Sequence, residues 1–279
     1  MFDMNRLFIA ICAIVLLICN ACQDNTIDWE NQNAELTTRY VDLKFQDLVQ
    51  QARSGDADAY KSLAICYRDG DGVDKSWLNM ICMYANYCKK TGDNIDKVVE
   101  LFEEGHPFRI FTDILNSTTQ NDEFMKKMDV LKQDFPVEVK AIKAACELDS
   151  REDSELVLNS LREAENEGSE FAALFQIVYY EEKGMKDDYE QCLIRLAEKY
   201  PFFNLKIGEL YLERYWGSKD FSDIQKAMEY YYKADAYAML TPRYANGLIN
   251  IYNHFGEKGL LSCDEQEMVR LKNIANIND

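Results

Sequence analysis

Residues 55–73 read GDADAYKSLAICYRDGDGV, and the fold follows from how this stretch is read. Gly55 closes a preceding helix in the left-handed conformation. Asp56 then caps the next helix, and Asp58 favours its positive end. Ala59, Leu63 and Tyr67 follow at four-residue steps and share one face. Ala59 is small, so a neighbouring helix can approach closely. Gly70 and Gly72 release the chain into a tight turn. A second helix is expected from about Lys75, KSWLNMICMYANYCKK, with Gly92 as its stop, which places the two stop glycines 37 residues apart.

The same signature returns downstream. At Gly168 the chain reads GSEFAALFQIVYYEEKG, 113 residues after Gly55. Gly168 and Ser169 repeat the stop-and-cap pair, Ala172 sits where Ala59 does, Tyr180 sits where Tyr67 does, and Gly184 ends the helix. A third trace is LKIGELYLERYWG, whose Ile207-Gly208-x-x-Tyr211 echoes Leu63-Ala64-x-x-Tyr67. It is followed by KAMEYYYKADA, with Ala227, Tyr231 and Ala234 on one stripe. The three consecutive tyrosines of that run span most of the helix circumference at ~100° per residue. Tyr231 is expected in the core, and Tyr230 or Tyr232 against an adjacent helix or solvent.

Outward from these units, apolar residues recur at three- and four-residue steps, with no sustained alternation of period two. VDLKFQDLVQQA gives Val41, Phe45, Leu48 and Ala52, and DKVVELFEEG gives Val98, Leu101 and Phe102, stopped by Gly105. EFMKKMDVLKQDF gives Phe124, Met128 and Leu131; SELVLNSLREAENEG gives Leu158, Leu161 and Ala164. His106-Pro107 is read as a helix start, and Ser262 with Glu265 as a capping box before the last helix. The fold class expected is all-α: an α-solenoid of stacked antiparallel helix pairs over residues 35–279.

These residues resemble the Sel1-like branch of the tetratricopeptide superfamily. Its first helix carries A-x-x-x-L-G-x-x-Y, its turn G-x-G-V, and its second helix K-A-x-x-W/Y-Y-x-K-A-A-x-x-G. Gly55 to Gly92 matches the first helix and turn, and Lys226 to Ala236 matches the second helix, with Asp235 where Ala is usual. The match is poor between Asp93 and Ala164, where helix pairs rest on periodicity alone. The resemblance implies a stack whose first helices line a concave face for protein or peptide recognition.

The N-terminus reads as an address. Leu7 to Ile18, LFIAICAIVLLI, is entirely apolar or Cys, the length of a secretory core and short of the ~20 residues of a spanning helix. Ala21-Cys22 resembles the end of a bacterial lipobox, with Cys22 as the lipidated residue; Cys19 stands where that pattern prefers Leu. Residues 1–21 are expected to be a signal peptide and 22–34 a flexible tether, QDNTIDWENQNAE being polar. Gln23 after Cys22 is compatible with sorting to an outer membrane. The alternatives are a plain secretory signal and an uncleaved anchor helix.

The chain of 279 residues carries a net charge of -18, which argues against nucleic-acid binding and fits a solvated acidic surface that keeps the chain soluble, or a basic partner. Six of its nine cysteines lie in the body: Cys66, Cys82, Cys88, Cys146, Cys192 and Cys263. They form no CxxC and no Cys/His cluster, so zinc is not expected. They read as buried thiols, with a bridge from Cys66 to Cys82 or Cys88 as the alternative. The two histidines, His106 and His254, read as surface or capping residues. RDGDGVD lacks the spacing of a calcium loop, and none of the G-x-S-x-G, P-loop or H-E-x-x-H motifs occurs. No catalytic residue, metal or cofactor is expected.

The functional expectation is a membrane-tethered interaction scaffold of the bacterial cell envelope, without catalysis. An immunity or inhibitor lipoprotein that neutralises a toxin or enzyme is a narrower alternative. A Sel1-like enzyme that binds or hydrolyses β-lactams is the third, disfavoured by the irregular cysteine spacing.

Overall fold

The computed structural model describes residues 45–117, 121–147 and 154–275. Among them the regular structure is entirely helical. In chain order the helices are α1 (Phe45–Arg53), α2 (Ala57–Asp69), α3 (Trp77–Thr91), a 3₁₀ helix (Ile95–Leu101), α4 (Pro107–Ser117), α5 (Asn121–Leu131), α6 (Pro136–Glu147) and α7 (Ser154–Asn166). α8 (Glu170–Glu182), α9 (Lys186–Ala197), α10 (Phe203–Ser218), α11 (Phe221–Asp235), α12 (Pro242–Gly256) and α13 (Glu265–Ile274) follow. Sequence neighbours pack in pairs, α2 on α3, α7 on α8, α10 on α11 and α12 on α13, as in a solenoid of helix pairs. None of these helices is long and apolar enough to cross a membrane. Cys22, the signal segment, the tether and Val41 lie outside the described residues.

The local chemistry of the first unit explains its boundaries. Asp56 is the N-cap of α2 and accepts hydrogen bonds from the backbone N–H groups of Asp58 (3.0 Å) and Ala59 (3.4 Å). Ala59, Leu63 and Tyr67 are fully buried along one face. Gly70 and Gly72 turn the chain at φ 78° and 71°. Gly72 also lies against Phe45, whose Cβ would be 3.0 Å from a Cβ added there. The Phe45 ring meets Tyr67 edge-on at 5.5 Å, so this turn is the floor on which α1 rests. Ser76, not Lys75, caps α3, and Gly92 at φ 73° ends it. From Leu78 to Asn86 every residue of α3 is buried, so this helix has neighbours on all sides.

The described chain divides into two compact units. One is Lys97–Cys192. Its centre is a run of phenylalanines: Phe111 meets Phe171 edge-on at 5.4 Å, and Phe108 stacks on Phe102 at 4.8 Å. The repeated signature lies in this unit too. Ser169 caps α8 by accepting from the Ala172 N–H at 3.3 Å, Ala172 is fully buried, and Tyr180 accepts a hydrogen bond from Arg162 at 2.9 Å. Gly168 has φ 106°, beside Gly55 at 97°.

The other unit joins the chain up to Asp96 with the chain from Leu193 onward. Here α10 and α11 pack most closely where Gly208 faces the ring of Tyr231. Tyr211, Ala227 and Ala234 are buried with them. Tyr230 stacks on Tyr211 at 5.7 Å, and Tyr232 shares a 2.7 Å hydroxyl hydrogen bond with Tyr252, so both flanking tyrosines meet adjacent helices. α11 ends through buried Ala238 at φ 56°, where the quoted pattern has Gly.

Two local expectations are corrected. DKVVELFEEG does not form an α-helix; its first half is the 3₁₀ helix Ile95–Leu101, with Val98 and Phe102 buried. Asp93 and Asn94 bind nearby backbone at the start of the run, accepting from the Asn94 N–H at 2.8 Å and the Asp96 N–H at 2.9 Å, and Val98-Val99 adds β-branched stiffness. The last helix is capped by Asp264 instead of Ser262: Asp264 accepts from the Glu267 N–H at 2.8 Å, and Glu267 turns its carboxylate to Arg270.

Candidate functional site

Two constellations stand out, both in the unit formed by the two ends of the described chain. The first is a buried ion cluster. Asp235 is the last residue of α11 and is 1% exposed. Arg53, the last residue of α1, reaches its Oδ2 through Nη2 at 2.9 Å and Nε at 3.2 Å. Arg270 of α13 donates to Oδ1 at 3.0 Å and to Oδ2 at 2.9 Å. Arg270 also grips Glu267 through Nε at 2.7 Å and Nη2 at 2.8 Å. Two guanidinium groups thus meet two carboxylates, and bidentate geometry makes these hydrogen bonds strong.

The electrostatics of this cluster follow from burial. Burial opposes the Arg270 charge, but its hydrogen bonds to Glu267 and Asp235 outweigh that and hold its pKa above the usual value. The buried hydroxyl of Tyr60, with the Asp235 charge nearby, is raised well above an ordinary phenol. Tyr232 is raised by burial, then by its bond to Tyr252 and by Glu267. Asp235 stands where the repeat pattern has Ala. The side chain that breaks the pattern is the one that ties α1, α11 and α13 together.

The second constellation is an exposed aromatic edge. Trp216 lies near the end of α10 and is 70% exposed. Tyr215 holds it edge-on at 5.6 Å and itself meets Phe255 at 5.7 Å; Phe221 closes on Phe255 at 5.1 Å. Lys219 caps α10 in the left-handed conformation, φ 59°, which brings its Nζ to 4.5 Å from the Trp216 ring centre. Close by, Arg214 and Lys226 lie over Tyr211, and Lys233 over Tyr230. Trp216 was not among the residues singled out from sequence. Its signal was position: Tyr211 and Tyr215 continue the buried stripe at a four-residue step, and Trp216 lies ~100° away from it.

The residues expected to carry the repeat are packed into their helix pairs rather than gathered at one place. Gly55, Ala59, Leu63, Tyr67, Gly70 and Gly72 serve α1–α3; Gly168, Ala172 and Tyr180 serve α8; Gly208, Tyr211, Ala227 and Ala234 serve α10 and α11. His106 caps α4, its Nδ1 accepting from the Phe108 N–H at 3.2 Å. Burial lowers its pKa, against an opposing pull from Glu103. His254 lies 2.8 Å from Lys258 Nζ at an exposed position. The six cysteines are thiols, five of them buried and Cys263 half-exposed. Burial pushes the Cys146 thiol up to about 12. Among the described residues no cluster of three His, Cys, Asp or Glu side chains is placed to hold a metal ion. No protein-family profile, no curated protein and no solved structure matches this chain.

Proposed function

We propose that the chain is a Sel1-like helical-repeat scaffold, exported to the bacterial cell envelope, tethered to a membrane by lipid on Cys22, and built to bind another protein. The observation that carries this reading is Trp216. A large aromatic side chain stands exposed with Tyr215 edge-on against one side and the Lys219 ammonium over its ring, and Tyr215 is in turn backed by Phe255. Trp is enriched at the energetic centres of interfaces, and one standing in solvent has most of its apolar area left to bury. Cation–π contacts at its rim supply directional polar groups. The net charge of -18 favours a basic partner, and it also supports the narrower reading of an inhibitor that masks a basic toxin or enzyme.

The test is a pull-down from solubilised envelope with three forms of the full chain. Wild type is expected in the membrane fraction with lipid attached and a protein bound. Cys22→Ala is expected in the soluble fraction. Trp216→Ser is expected to stay on the membrane and lose the bound protein. Retention of lipid-free Cys22→Ala on the membrane would refute the tether. Undiminished capture by Trp216→Ser would refute the surface.

A further inference from the structure

The ion cluster joins residues that a nearest-neighbour stack has no reason to bring together. Arg53 and Asp235 are 182 positions apart, whereas Asp235 and Arg270, 35 apart, are separated by about one helix pair, so it is Arg53 that the stack does not account for. A second set of contacts runs between the same ends. Arg270 Nη1 donates to the Arg53 carbonyl at 3.3 Å, at the C-terminus of α1. In return, Lys90 of α3 donates to the Asn273 carbonyl at the C-terminus of α13. Each end of this unit thus supplies the cation that satisfies the open carbonyls and negative dipole end of the other.

The apolar side of the attachment is thin for one of these elements. α13 buries only Leu271 and Ile274, whereas α1 buries Phe45, Leu48, Val49 and Ala52. α13 thus has few apolar side chains in the core, and Arg270 and Lys90 supply its polar ties to α1, α3 and α11. Both guanidinium groups keep contact with water, Arg53 at 28% and Arg270 at 19% exposure, while Asp235 keeps almost none. Arg270 also retains Glu267 as a partner on its own helix if Asp235 is lost.

We propose that α13 is a releasable strap, held closed by the Asp235–Arg270 and Lys90–Asn273 ties, and that it opens as a unit while the α2–α3 and α10–α11 pairs stay folded. Local opening of this kind belongs to segments with few buried apolar contacts, and a buried ion pair fixes one arrangement more than it stabilises the whole. Opening would uncover the Tyr60 and Tyr232 side of the cluster. The inference does not depend on the scaffold reading.

The test is amide hydrogen exchange followed by mass spectrometry on the full chain, comparing wild type with Asp235→Asn and Lys90→Gln. Asp235→Asn keeps the shape and removes the charge. It is expected to raise exchange across 265–274 at least tenfold and leave 57–69 and 203–216 as protected as in wild type. Lys90→Gln is expected to act on 265–274 alone, by less. Unchanged protection of 265–274 in Asp235→Asn overturns the proposal. So does a loss shared equally by all three segments in a chain that still folds, since that is general destabilisation. Should Asp235→Asn fail to fold, Lys90→Gln decides: a rise confined to 265–274 supports the strap, and no rise or a general rise refutes it.

Discussion

Replacing Gly208 by Ala sets two known effects against each other, and the structure says which prevails. In an exposed helix interior the change would stabilise by about 1 kcal/mol, through helix propensity. At Gly208 an added Cβ would meet Tyr231 Cε1 at 2.3 Å, Cδ1 at 2.7 Å and Cζ at 2.9 Å. Carbon atoms rest at about 3.5–4 Å, so the ring must withdraw by more than ~1 Å. It has little room to do so. Tyr231 is 1% exposed, and Tyr244 packs against it at 5.4 Å between ring centres. Overpacking costs about 1–3 kcal/mol, and expelling the ring forfeits a further ~1.5–3 kcal/mol of burial. With the propensity gain of about 1 kcal/mol subtracted, the net expectation is a destabilisation of about 1.5–5 kcal/mol, read as a lower urea midpoint at unchanged slope. Tyr231→Leu in the Gly208→Ala background should then cost far less than in wild type, with a coupling of at least ~1 kcal/mol. A Gly208→Ala chain as stable as wild type, or more so, would show that α10 and α11 do not meet at this point.

Two further outcomes are expected. Ala238→Gly should leave stability within about 1 kcal/mol of wild type, because relief of a left-handed penalty of ~1–2 kcal/mol at φ 56° is offset by the ~0.5–1 kcal/mol of entropy that Gly adds to the unfolded chain and the ~0.8 kcal/mol of the buried methyl it removes; thermal melting checks it, and a large fall in midpoint would contradict it. His106 has a folded pKa below the ordinary value, from burial. Above about pH 6.5 it is neutral in both states and its contribution to stability is fully present. As pH falls from there the unfolded chain takes up the proton first, and stability declines until the folded pKa is passed. His106→Asn keeps a capping side chain and should flatten this decline in urea titrations between pH 7.5 and 5, whereas an unaltered pH slope would place the titrating group elsewhere.

The parts of the fold that were legible in the sequence are those with local causes. The stop-and-cap pairs at Gly55-Asp56 and Gly168-Ser169 depend on a few adjacent residues, and the same chemistry produces the same backbone at both places. The stripe of Ala227, Tyr231 and Ala234 is likewise fixed by helical spacing. Val98 to Phe102 misled because periodicity does not register the side-chain-to-backbone bonds at Asp93 and Asn94 or the stiffness of Val98-Val99. Ser262 misled because Asp264, two residues on, is equally able to cap, and the docking of Arg270 beside Glu267 favours the later start. Asp235 was visible as a departure from the pattern, but its partners lie in distant parts of the chain and no local rule names them. Trp216 could not be separated from buried Tyr211 and half-buried Tyr215 without knowing which face α11 covers.

The pairing of Arg53 with Asp235 also sets a schedule for the growing polypeptide. At ~5–20 residues per second, the ribosome adds the 182 residues between them in roughly 10–35 s. During that interval α1 to α3 exist without α11 and α13, and Arg53 and Lys90 lack the Asp235 and Asn273 partners they have in the folded chain. A pause or truncation before residue 235 would leave α1 without the carboxylate that receives Arg53.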